Sequence, residues 1–154
     1  MEERKPIKRH ISLQPLSREH HQGLLLCMKI RKGLAKKVAL DRISNYVQWF
    51  YEEYLEEHFR AEESSVFPIL GNHHELIKRA LAEHRRLIRL IENRENLERS
   101  LHAFEEELEK HIRFEERVLF NEIQSIATPE QLKVLEKVLS EGTICDNWSD
   151  QFWK

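Results

Sequence analysis

The chain has 154 residues, enough for one domain with a real core. Charged residues make up 34% and hydrophobic ones 40%, while glycine and proline number only 4 each, a balance that favours long amphipathic helices. A net charge of −2 excludes the basic surface of a nucleic-acid binder, and no apolar run approaches the ~20 residues that span a bilayer.

The start, MEERKPIKRH, lacks an apolar segment, so no signal peptide is expected. Two cysteines, Cys27 and Cys145, make neither a disulfide framework nor a C-x-x-C motif, which points to a reducing cytoplasm. A first helix is predicted to open at Ser17 as cap, with Leu24, Leu25, Cys27, Met28, Leu34, Ala35 and Val38 as its apolar residues and Gly33 ending or bending it. Asp41 is the predicted cap of a second helix, striped by Val47, Phe50, Tyr54, His58 and Glu62, with Pro68 and Gly71-Asn72 punctuating its end. A third runs from about His74 to Asn93, with Ile77, Leu81, His84, Ile88 and Ile91 on one face. After the polar turn 93–96, a fourth runs to about Ile126, striped by Leu101, Phe104, Leu108, His111, Glu115 and Val118. Thr128-Pro129-Glu130-Gln131 reads as the capped start of a short fifth helix. The tail, CDNWSDQFWK, is aromatic and aperiodic, and either packs on the helices or docks a partner. The predicted fold is all-α: an up-down-up-down four-helix bundle over about 13–125, with the fifth helix and tail over 128–154.

Two segments carry the chemistry. EHFRAEESSVF places His58 four residues before Glu62, and KHIRFEERVLF places His111 four before Glu115. Residues four apart share a helix face. Both pairs sit on apolar stripes, where a carboxylate must be paired, neutralised or bound to metal. His84 lies on the inward face of the third helix, and either His20 or His21 on the first, with His20 nearer the apolar centre. In an antiparallel bundle, facing residues sit at equal height when the turn lies midway between them. The midpoints fall near residues 40, 73 and 98, on or beside predicted turns. His20, His58, Glu62, His84, His111 and Glu115 therefore share one layer in the predicted bundle. The pattern also repeats: a single His, then His-x-x-x-Glu, twice. Two metal half-sites follow, each with two imidazoles, and with both carboxylates available to bridge. Such a donor set suits iron first, then manganese or zinc.

Glu19-His20-His21, His58 to Glu62, His84, and His111 to Glu115 resemble the hemerythrin-like, or HHE cation-binding, family over roughly residues 13–125. The resemblance implies a four-helix bundle around a non-haem di-iron site, bridged by two carboxylates and an oxo or hydroxo group. It also implies binding of oxygen, nitric oxide or peroxide, or sensing or repair through iron. The chain departs from the oxygen-carrier pattern. Ile88 stands four residues after His84, where carriers have a histidine. The last carboxylate is Glu115, or Glu116 at the longer spacing, where carriers have His-x-x-x-x-Asp. Fewer histidines leave more open positions, which favours redox, nitrosative or iron-related roles over oxygen storage.

Glu63 and Glu116 are read as outer or solvent-facing, and His10, His73, His74 and His102 as non-ligands. Tyr54 is read as core packing, and Cys27 as a small core residue. A rival reading is an interaction module whose metal is structural and whose aromatic tail (Trp148, Phe152, Trp153) recruits a partner or a second copy. No nucleophile elbow, phosphate loop or triad signature supports hydrolase or kinase chemistry.

Overall fold

The computed structural model describes residues 8–139 and 146–154, so Cys145 lies outside the described residues. Its five helices, with no strand among the described residues, are α1 (Gln14–Ala35), α2 (40–69), α3 (Glu75–Glu92), α4 (97–126) and α5 (Pro129–Val138). None is long and apolar enough to cross a membrane.

The helix ends follow local chemistry, with two departures from expectation. Asn96 accepts from the Arg99 amide to start α4, and Thr128 and Gln131 form a reciprocal capping box on α5. Ser17, however, is not a cap. α1 already starts at Gln14, and the Ser17 hydroxyl donates to Glu116 at 2.9–3.0 Å instead. Asp41 is likewise not the cap of α2. Ala39 holds that position without a side-chain bond, and Asp41 sits in the first turn, where a negative charge suits the helix dipole.

The two long striped helices are not uniform. Three π turns interrupt them: Tyr51–Leu55 and Glu62–Val66 in α2, and Glu115–Leu119 in α4. A π turn carries an extra residue, so the inward face advances by one position. Leu55, not Tyr54, therefore follows Phe50 into the core, and Leu119, not Val118, follows Glu115. Val118 is 41% exposed and Leu119 fully buried.

Two apolar clusters form the core. One takes Leu26, Cys27 and Ile30 from α1, Ile43 to Phe59 from α2, Leu87 to Ile91 from α3 and Leu101 to Ile112 from α4. The other takes Leu13 and Leu16, then Val66 and Phe67, then Ile77 and Ala80, then Phe114 to Ile123, with Leu135 and Leu139 from the α5 region. α1 and α3 run from the second cluster to the first; α2 and α4 run back. Burial pushes the Cys27 thiol up to about 12, with Glu105 and Glu109 adding to it, so it stays protonated.

Gly33 does not end α1, which continues to Ala35. A Cβ there would lie 2.8 Å from the Phe152 ring and 2.9 Å from Ile43, so glycine admits the tail against the helix. Phe152 is buried in the first cluster, and Trp148 and Trp153 pack over Tyr46. The described tail thus packs on the chain's own helices. Asp146 accepts from Lys29 at 2.5 Å and from the Tyr46 hydroxyl, and Asp150 accepts from Arg42 at 2.5 and 2.9 Å.

Candidate metal centre

Between the two apolar clusters lies a layer of ionisable side chains. His20, His58, Glu62, His84, His111 and Glu115 are each at most 4% exposed, and both carboxylates are wholly buried. Their donor atoms form two groups, each within 4.8 Å: His20, His58, Glu62 and Glu115, and Glu62, His84, His111 and Glu115. Glu62 and Glu115 belong to both. His21, the alternative on α1, is exposed, as are His73 and His102. All six main candidates of the sequence pattern therefore converge, and His20 takes the α1 position.

The four imidazoles face the centre through Nε2. His20 Nε2 lies 2.8 Å from Glu115; His84 and His58 lie 3.1 and 3.4 Å from Glu62; and His111 lies 3.2 Å from Glu115. Yet both Glu62 oxygens, Glu115 Oε2, and Nε2 of His84 and His111 are buried without an aligned hydrogen bond. The atoms are near one another but wrongly directed. Buried polar atoms are rarely left so, and an ion is one of the few explanations. The donor set, imidazole nitrogen with carboxylate oxygen, fits a divalent or trivalent first-row metal.

Each outward Nδ1 has its own carboxylate, which sequence reading did not assign. Glu116 on α4 lies 2.8 Å from His20 on α1, and Glu19 on α1 lies 3.4 Å from His58 on α2. Glu63 on α2 lies 2.9 Å from His84 on α3, and Glu83 on α3 lies 2.7 Å from His111 on α4. With the proton on Nδ1, each imidazole donates outward and turns its Nε2 lone pair inward, the tautomer a metal requires. Aromatic rings fix the imidazole planes further. Phe59 stacks on His84 at 3.9 Å, and Phe120 on His20 at 5.3 Å.

The buried carboxylates favour the charged form of the imidazoles around them. Burial alone would lower the His84 imidazole, but Glu115, Glu62 and Glu63 outweigh it and raise it to about 11. His58 rises to about 10 against burial because of Glu62 and Glu19, and His111 to about 9 because of Glu115 and Glu83. Burial works against the Glu115 carboxylate too, but His111 and its other neighbours hold it well below the usual range. The layer is thus a buried anionic centre that gathers positive charge.

A model of the hemerythrin HHE cation-binding domain matches residues 13–97. The chain belongs to that family. The match takes in His20, His58, Glu62 and His84 and ends before His111 and Glu115, so in this HHE domain the second His-x-x-x-Glu rests on the geometry described above. No curated protein and no solved structure matched the chain. Beside the layer, α1, α2 and α4 line a small, partly open apolar pocket formed by His20, Gly23, Tyr54, His58, Phe59 and Ile112, among others. It leaves about 20 Å³ for the centre of a water-sized molecule. Gly23 keeps α1 close to α4 at this level, since a Cβ would lie 2.8 Å from Ile112.

Proposed function

We propose that this HHE domain is a di-iron protein, an up-down-up-down four-helix bundle in which Glu62 and Glu115 bridge two metal ions. His20 and His58 hold one ion, and His84 and His111 the other; manganese or zinc are the alternative occupants. The observation that carries this reading is the set of buried atoms on Glu62, His84, His111 and Glu115 that have no aligned partner inside one shared layer. A bound iron pair supplies one-electron chemistry and open positions for oxygen, nitric oxide or peroxide. The chain's own residues do the rest. Glu19, Glu63, Glu83 and Glu116 hold the Nδ1 protons, Phe59 and Phe120 keep the rings in plane, and the two apolar clusters exclude bulk water.

Ile88 is half-buried on α3 where a carrier has a histidine, and it supplies no donor. With only two imidazoles per ion, redox, nitrosative or iron-sensing roles fit better than oxygen storage, and they suit a cytoplasmic setting. In the rival reading, a tail that recruits a partner, Trp148 and Trp153 would have to supply the contact, because Phe152 is 4% exposed in the core.

Metal analysis of protein grown in iron-replete medium is the direct test. Anaerobic reduction followed by titration with oxygen and then nitric oxide, watched by absorbance and Mössbauer spectroscopy, separates the ligands. Protein that carries no transition metal, and shows no oxo-to-iron absorption after reconstitution, would sink the reading.

A further inference from the structure

The carboxylates on the Nδ1 atoms form a closed ring. α1 gives Glu19 to His58 of α2, α2 gives Glu63 to His84 of α3, α3 gives Glu83 to His111 of α4, and α4 gives Glu116 back to His20 of α1. Each acid is a sequence neighbour of an inner residue: Glu19-His20, Glu62-Glu63, Glu83-His84 and Glu115-Glu116. Successive residues on a helix point about 100° apart, so the outer acid reaches the next helix rather than its own neighbour. The ring therefore follows space, not sequence. Glu63 neighbours Glu62 yet serves a histidine of α3, and Glu116 sits on α4 yet serves a histidine of α1.

Resting on the two-ion reading above, we propose that these four acids are positioning residues divided between the half-sites. Glu19 and Glu116 govern the His20–His58 half-site, and Glu63 and Glu83 govern the His84–His111 half-site. Each acid fixes the tautomer and plane of one imidazole and adds negative charge behind it. Such outer partners change metal affinity by about 10–100-fold.

Two of the four acids, Glu116 and Glu83, are themselves held. Ser17 and Arg9 pin Glu116 from outside, at 2.9–3.0 and 3.8 Å, and Arg79 pins Glu83 at 3.0 Å. Glu63 is half-covered, with its partner His84 buried. These contacts are directional enough that glutamine should keep the acceptor oxygen while losing the charge. Alanine removes both.

The division has a sharp consequence when outer and inner variants are combined. His58→Ala removes a donor from the first half-site and leaves one ion per chain. Adding Glu116→Ala, in the same half-site although on α4, leaves that remaining ion in place. Adding Glu83→Ala instead weakens the other half-site, and the last ion is lost about 10–100-fold more readily. With His111→Ala as background the roles reverse: Glu83→Ala is silent and Glu116→Ala is costly.

The experiment loads the full chain with ferrous iron under anaerobic conditions, dialyses it against graded chelator, and counts retained iron. Circular dichroism of the metal-free variants checks folding, and the glutamine variants, expected between wild type and alanine, cover any alanine variant that does not fold. The crossed pattern supports the division. Equal effects of Glu83→Ala and Glu116→Ala in both backgrounds, or retention no different from the parent in all four combinations, overturn it. Wild-type protein that holds only one ion or none overturns the two-ion reading and the division together, whereas two ions with no crossed pattern overturn the division alone.

Discussion

At mid-height of the helices, six ionisable side chains share a layer in which several atoms lack aligned partners. At the end where α1 gives way to α2, Tyr46, Trp148, Phe152 and Trp153 share another layer, tied down by Asp146 and Asp150. The aromatic end shows what this chain does when it builds for stability. Rings meet at 5–6 Å, the Lys29 ammonium sits 4.3 Å from the Trp153 ring, and a glycine opens space for Phe152. The middle layer does the reverse. It buries two carboxylates among four imidazoles and leaves lone pairs facing each other, an arrangement that apolar side chains would improve upon. The aromatic end leaves one buried donor, Trp148 Nε1, without a partner, against five donor atoms on Glu62, His84, His111 and Glu115, and that concentration is what suits the middle layer to a cation.

Metal removal should have the largest effect, and it should act on the middle layer alone. A site with free metal at about 100 times its dissociation constant adds about 2.7 kcal/mol, so two occupied sites add about 5 kcal/mol. Chelation should lower the melting temperature of the wild type and leave Glu115→Ala, which lacks the shared carboxylate, unmoved. Equal chelator shifts in both proteins would contradict a centre that depends on Glu115. Next in size, Phe152→Ala should cost about 3–5 kcal/mol by leaving a cavity against Gly33 and Ile43, with metal content unchanged. A denaturant titration with parallel metal analysis tests both halves. A loss of metal in Phe152→Ala would show that the two regions are not independent.

The inner pairs of the middle layer were the most legible feature, because His58 with Glu62 and His111 with Glu115 need only the period of an α-helix. His20 and His84 needed one more step, the register of facing helices, and turn positions supplied it. The π turns were not read, although a trace was present. The fully buried residues after Glu62 are Val66 and Phe67, and those after Glu115 are Leu119 and Phe120, steps of four and five where three and four were expected. Val118 was misplaced for that reason. Of the outer acids, Glu63 and Glu116 were legible as outer or solvent-facing neighbours of Glu62 and Glu115, while Glu19 and Glu83 carried no signal of such a role. Their pairing crosses between helices, and no single-helix period can report it. The tail gave no period at all, and Gly33, read as ending or bending the helix, is explained by the Phe152 ring and Ile43 resting on it.

Thr128→Ala should cost about 1 kcal/mol, since it opens the capping box of α5 and touches neither layer. A thermal melt with unchanged metal content checks it.

The smallest expected effect concerns pH at the aromatic end. Burial opposes ionisation of Asp146, but Lys29 and Tyr46 outweigh it and hold its carboxyl below the ordinary range. A carboxylate with a depressed folded value stabilises above its unfolded value, about 3.9, and loses that contribution as the pH falls through the folded one. The pair is partly exposed, with Lys29 at 16% and Asp146 at 21%, so its share is about 1 kcal/mol or less. The tail should therefore loosen below about pH 4, reported by the emission of Trp148 and Trp153 above it. Asp146→Asn should weaken the tail slightly at neutral pH and flatten that acid transition, because the asparagine has no charge to lose. The carboxylates of the middle layer are common to both proteins and cancel in the comparison. An acid profile of tryptophan emission identical in the two would mean that Asp146 does not hold the tail, leaving Phe152 and Asp150 as its anchors.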